Sequence, residues 1–214
     1  MAQRTVHAIF AQQLAASCGI GDRPRFLLGS LLPDAVFSKS ERDASHFAFR
    51  GADSLRYYDF GRFYRDFAGR MDDPLYLGYA MHLVEDDCYR EFIYKTHHLR
   101  FKREEEVRAL HRDYHLLNAF LRDRFGLVSE LALPSELDTE AICRVARFDA
   151  EGLVRDYAAD LSEQPSGSFT YLRPSLIEDF ILRYLPTVEG ELRAVLRGER
   201  LLRPADFAWS RADE

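Results

Sequence analysis

The chain has 214 residues, 47% of them hydrophobic and 30% charged, with a formal net charge of -6 at pH 7. That length suits one medium domain, or one and a half, with enough apolar residues for a core and enough charge for a soluble surface. The acidic balance argues against a dedicated nucleic-acid binder, and no run of about 18 apolar residues is present to span a membrane.

The hydrophobic pattern is helical nearly throughout. Val6, Ile9, Phe10, Leu14 and Ala15 follow an i, i+3/i+4 rhythm, which Gly19 and Gly21 end. Pro24 opens a short apolar helix over Arg25 to Leu32, and Pro33 stops it. Residues 38–54 are polar and mixed and read as loop. Leu55 to Met71 carries Tyr57, Tyr58, Phe60, Phe63, Tyr64 and Phe67 at helical spacing, as core packing or as the lining of a cleft. Asp73-Pro74 starts a helix that runs to about Tyr94, and Lys102 to Phe125 forms another that Gly126 ends. Further helices are expected over Leu137 to Arg147, Asp149 to Leu161 and Leu176 to Leu196. Ser175 and Glu178 give the last a capping-box signature, and Pro186 predicts a kink in it. Gln164 to Ser168 is loop, no strand or repeat is predicted, and the tail after Pro204 reads as loosely held unless Phe207 and Trp209 dock.

The chemistry concentrates in Gly78 to Asp87. On a helix His82 and Asp86 lie one turn apart on one face, where an imidazole and a carboxylate can grip one ion. A hydrogen-bonded structural pair has the same spacing. Apolar neighbours bury the segment, and burying Asp86 and Asp87 side by side is costly without a cation. Three further ligand-type residues adjoin apolar segments. Asp34 follows the proline that stops its helix, His46 stands in Ser45-His46-Phe47, and His7 shares a helix face with Phe10 and Leu14. Their plain readings are a helix terminator, a surface histidine and a core histidine.

Taken in order, these pieces resemble the zinc-dependent phospholipase C family, in the manner of a short, non-secreted relative. They are Thr5-Val6-His7, the run Phe26 to Ala35 with Leu32-Pro33-Asp34-Ala35, Ser45-His46-Phe47, and the run Gly78 to Asp86 with its GYxxHLxxD pattern. The resemblance covers His7 through Tyr89 and extends to the helix at 103–125. It implies an all-α fold, a single multi-helix domain over residues 1–214 with a metal-binding cleft. The metal-binding half is about 1–125, a C-terminal helical part about 126–203, and a loose tail 204–214.

By family pattern Asp34, His46, His82 and Asp86 hold one zinc, Asp86 bridges to a second ion bound by His7, and Asp34 serves as the general base. The family's HxxxE pair is not found at its spacing here. Asp113, Tyr114, Leu117 and Asn118 match the acidic DYxxLN-like pattern of shorter relatives, so Asp113 and His115 join as secondary ligands, with His97, His98 and His111 as other candidates. Zinc suits imidazole and carboxylate donors, and iron or manganese are alternatives where no cysteine takes part.

The function expected is metal-dependent hydrolysis of a phosphate ester, with a phosphodiester first, by metal-activated water. The partner is a small-molecule phosphate ester or a lipid headgroup. A nucleotide phosphohydrolase or nuclease-like enzyme is the alternative chemistry, and a non-catalytic helical protein with a structural metal is the alternative class. Cys18, Cys88 and Cys143 are odd in number and far apart, without a CxxC pair, and read as reduced cysteines of a cytoplasmic protein. Met1 to Thr5 lacks the layout of a signal peptide.

Overall fold

The computed structural model describes residues 2–51, 55–128 and 130–210 and is mostly helical. Its eight α-helices among the described residues are α1 (Arg4–Ser17), α2 (Arg23–Leu31), α3 (Lys39–Ser45), α4 (Phe60–Asp66), α5 (Pro74–Arg90), α6 (Glu104–Phe125), α7 (Ala150–Ser162) and α8 (Pro174–Leu196). A two-stranded antiparallel sheet pairs β1 (Ala48–Arg50) with β2 (Arg56–Tyr58), in the register Ala48 to Tyr58 and Arg50 to Arg56.

Helix α5 is the axis of the molecule. Every residue from Leu75 to Tyr89 is buried, as expected of a helix apolar on nearly all faces. It starts where the sequence predicts. Pro74 takes the first helical position, and the Asp73 carboxylate accepts from the Leu75 amide, a cap worth about 1 kcal/mol. α2, α4 and α8 pack around it, and α1 packs on α2, α6 and α8. The α2–α5 crossing is the closest. A β-carbon on Gly29 would sit 2.0 Å from the Leu75 carbonyl oxygen, and one on Gly78 would sit 2.1 Å from that of Phe26. Glycine at both positions lets the two backbones touch, which brings the end of α2 beside the middle of α5.

Several expectations need correction. Residues 38–54 are not plain loop. Ser38 caps α3 by accepting from the Glu41 amide, and β1 follows. The aromatic stretch is not one helix either. Residues 56–58 are strand, Asp59 caps the short α4, and a 3₁₀ turn covers Ala68–Arg70. Three-residue strands leave too little alternation to be read as such, and Ala52 to Ser54 lie outside the described residues. The helix starting at Asp73-Pro74 leaves α geometry at Arg90 and continues as a π-helical segment, Glu91–Thr96.

Leu137 to Arg147 forms two 3₁₀ turns, Leu137–Thr139 and Ala141–Arg144. The polar run Asp138-Thr139-Glu140 breaks its apolar stripe, and Glu140 binds Arg25 and the Tyr76 hydroxyl instead. α8 starts earlier than predicted, at Pro174, without a side-chain cap, and Glu178 pairs with Arg124 rather than closing a capping box. α8 runs through Pro186, and Gly126 ends α6 in the left-handed conformation that favours glycine.

The tail is held as far as it is described. Trp209 exchanges two backbone hydrogen bonds of 2.8 Å with Arg56 and is 3% exposed. A 3₁₀ turn, Pro204–Phe207, leads into it. No helix among the described residues is long and apolar enough to cross a membrane.

Candidate metal centre

Four elements deliver the predicted ligands to one buried point. α1 carries His7, the 3₁₀ turn after α2 (Leu32–Asp34) carries Asp34, the C-terminus of α3 carries His46, and α5 carries His82 and Asp86. His7, His46, His82 and Asp86 are buried completely, and the Asp34 side chain is 7% exposed. Ligand atoms of His46, His82 and Asp86 lie within 4.8 Å of one another, as do those of His7, Asp34 and His82.

The outer nitrogen of each histidine is already committed. His82 Nδ1 lies 2.8 Å from the Ser30 carbonyl oxygen, and His46 Nδ1 lies 3.0 Å from that of Arg42. A carbonyl only accepts, so both Nδ1 atoms carry the proton, and both Nε2 atoms turn inward. Those two Nε2 atoms are 3.2 Å apart. Asp86 Oδ2 lies 3.4 Å from His46 Nε2 and 3.8 Å from His82 Nε2, and Asp34 Oδ1 lies 3.5 Å from His46 Nε2. Donors around a tetrahedral zinc are separated by about 3.3 Å, given zinc–donor bonds of about 2.0–2.1 Å.

His7 completes the set. Its Nδ1 is 2.6 Å from Glu85 Oε2, its Nε2 is 3.5 Å from Asp86 Oδ1, and its ring stacks on His82 at 3.9 Å between centroids. Fixing the far nitrogen of a ligating histidine on a carboxylate or carbonyl is the usual way a protein sets ring orientation. His7 Nε2 and Asp86 Oδ2 are buried without a hydrogen-bond partner, as are Glu85 Oε1 and Asp87 Oδ2. Buried polar atoms are normally paired, so the orphaned His7 Nε2 and Asp86 Oδ2, on residues whose ligand atoms gather with those of His46 and His82, mark a place where a cation fits.

The electrostatics agree. Burial works against a charged His7, but the adjacent carboxylates of Asp86 and Glu85 outweigh it and push the ring up to about 10. His46 is raised in the same way: burial opposes, and Asp34 and Asp86 prevail. His82 is pushed down to about 3, first by burial and then by the charge of His7. Burial lifts Glu85 to about 7 despite its bond to His7. Asp34 and Asp86 stay well below the usual carboxylate range, because the histidines around them overcome the effect of burial.

Asp113 and His115 are not brought to this point. Asp113 is buried on α6, and its carboxylate accepts from the amides of Thr170, Tyr171 and Leu172 at 2.8, 2.6 and 2.9 Å. It ties the loop before α8 to α6. His115 is exposed and lies 3.1 Å from Glu163. His97 and His98 are exposed as well. A cleft of about 460 Å³ opens at Asp34, and its rim includes Arg42, Tyr94, His111, Tyr114 and His115. His111 and His115 therefore border the approach to the cluster. Phe63 and Tyr64, which offered a cleft lining, are core residues instead: Phe63 stacks flat on Tyr79 at 5.0 Å, and the Tyr64 hydroxyl donates to Glu191.

Two participants went unrecognised in the sequence. Glu85 holds His7, and the Arg42 guanidinium donates to Asp34 Oδ1 at 3.1 Å. The signal for Glu85 was present, since it adjoins Asp86 and Asp87 in a segment too apolar to expose any of the three. Arg42 gave none, because its reach back to Asp34 depends on how α3 turns. Compared with protein-family models, curated proteins and solved structures, the chain gives no match.

Proposed function

We propose that this protein is a metal-dependent hydrolase of phosphate esters, a phosphodiester being the first choice, with a fold of the zinc-dependent phospholipase C type. The observation that carries the reading is the meeting of His46 and His82, whose Nε2 atoms lie 3.2 Å apart while both Nδ1 atoms are bound to carbonyls. Two inward Nε2 atoms beside the orphaned Asp86 Oδ2 form a donor set that suits a cation. Zinc is the ion proposed, and iron or manganese suit the same donors.

A bound divalent ion would supply charge neutralisation for the phosphate and an activated water. His46, His82 and Asp86 would hold it, and His7, whose Nε2 lies 3.5 Å from Asp86 Oδ1, would be the ligand for a second ion. Asp34 stands at the cleft beside His46, so it is placed to take the proton of the attacking water. Arg42 keeps Asp34 oriented and presents a cation beside it. The rival reading is a structural ion in a non-catalytic protein. The cleft that reaches Asp34 favours the enzyme, because a structural site is normally closed by protein ligands. A cytoplasmic location belongs to the same proposal, supported by three free cysteines, Cys18, Cys88 and Cys143.

Elemental analysis of protein expressed without a metal-chelating tag, beside Asp86→Ala, tests this reading. It should be followed by an assay with bis-p-nitrophenyl phosphate. Bound zinc, iron or manganese that is lost in the variant, together with hydrolysis, supports the enzyme. Bound metal without hydrolysis of any phosphate ester tried favours the structural rival. No metal after reconstitution overturns both.

A further inference from the structure

A second polar cleft, of about 570 Å³, lies on the other side of Arg42 and is lined by Lys39, Arg42, Arg56 and Arg90, with Asp43 as its acidic member. Four cations face one carboxylate here, in a chain whose net charge is -6. Arg42 pairs with Asp34 and Arg56 with Asp43, and the lining keeps an excess of positive charge that an anion would balance.

The placement of Arg90 is the sharper observation. Its guanidinium lies over the Trp209 ring at 3.8 Å and near Tyr94 at 5.1 Å, and its Nε is buried with no hydrogen-bond partner among the described residues. Arg56 approaches the same indole at 5.9 Å. Two guanidinium groups are thus gathered on one ring. Of the carboxylates nearby, Asp43 is 53% exposed and 3.4 Å from Arg56, and Asp87 Oδ1 accepts from the Tyr58 amide at 3.4 Å. A flat guanidinium fixed by stacking at the wall of a cleft suits a phosphate oxyanion, which arginine recognises through paired N–H donors.

Arg42 connects this cleft to the metal centre. It lines both clefts and donates to Asp34. Tyr58, another lining residue, packs its ring 5.3 Å from that of His46. We propose that the Lys39–Arg42–Arg56–Arg90 cleft is a phosphate site that holds a second, non-reacting phosphate of the substrate while the reacting ester lies at Asp34. The substrate class is therefore a phosphate ester that carries a further phosphate monoester. This assignment of class rests on the hydrolase reading, whereas the anion site does not.

Trp209 is the sole tryptophan and reports on the site directly. Chelator-treated protein is titrated with inorganic phosphate, then with glycerol 3-phosphate, reading tryptophan emission and heat in parallel. The expected result is saturable binding of both probes. Arg90→Gln should weaken it about tenfold or more, through the loss of a charged hydrogen-bond donor, and Lys39→Gln, a change on the exposed rim, should weaken it severalfold. Absence of saturable binding, or binding indifferent to both variants, overturns the site. Binding of inorganic phosphate without glycerol 3-phosphate overturns the substrate assignment. Because no metal is present in the titration, failure here is distinct from failure of the metal measurement.

Discussion

Gly78 on α5 lies so close to Phe26 on α2 that a β-carbon there would stand 2.1 Å from the Phe26 carbonyl oxygen. One turn further along the same crossing, His82 Nδ1 binds the Ser30 carbonyl. The glycine contact and the orientation of a proposed metal ligand are therefore parts of one helix crossing. Gly78→Ala is expected to push the helices apart, at a cost of about 1–3 kcal/mol, and to weaken metal binding as well. Gly190→Ala on α8, where a β-carbon would meet only Leu201 at 3.7 Å, should instead stabilise by about 0.5–1 kcal/mol through helix propensity. Chemical denaturation of both variants checks the pair. Equal effects would show that the crossing is not tight.

A metal ion that binds the folded cluster must also stabilise it. With free zinc at about 100 times its dissociation constant the gain is about 2.7 kcal/mol, or a rise of about 5–10 °C in Tm for a chain of this size. His82→Ala and His46→Ala should abolish the rise. Thermal unfolding with and without chelator measures it, and a Tm indifferent to zinc in the wild type would count against the site.

Asp113 should behave as a structural anchor. Asp113→Ala strips three backbone amides of their acceptor and is expected to destabilise by about 2–4 kcal/mol, with metal content unchanged. Loss of metal from a variant that remains folded would return Asp113 to the ligand set.

The Arg25–Asp73 pair should make stability depend on acid. Arg25 Nε and Nη2 lie 2.6 and 2.7 Å from the two Asp73 oxygens. Burial opposes the charged carboxylate, yet Arg25 and the Leu75 amide hold it below the usual range. A carboxylate with a depressed folded pKa stabilises above its unfolded pKa of about 3.9, and the effect is lost as pH falls through the folded value. Asp73→Asn should therefore be less stable than the wild type by about 1–2 kcal/mol at pH 7, with the gap closing below about pH 4. Urea titrations at several pH values test this. A constant gap down to pH 3 would mean that the charge of Asp73 is not its source.

What was legible in the sequence is what short-range geometry dictates. His82 and Asp86 must share a face because a helix turns every 3.6 residues, and the structure places both at one point. Asp73-Pro74 and Gly126 mark helix ends because capping and left-handed geometry are properties of single residues. The 48–50/56–58 hairpin was not legible, since its strands are three residues long and one is completed by Trp209 from the far end of the chain.

The sequence by itself determined the helical class, the principal helix starts and stops, and a set of ligand-type residues set against apolar segments. It could not say which of them meet. His7 and Glu85 are 78 residues apart, and His46 and His82 are 36 apart. Their distances depend on the glycine-lined crossing of α2 and α5, not on any local pattern. The same holds for exclusion: Asp113 reads like a ligand in the helix pattern, but tertiary packing gives its carboxylate three backbone amides. Local propensity sets where side chains project from an element, whereas only the packing of elements, driven by burial of their apolar faces, decides what those side chains face.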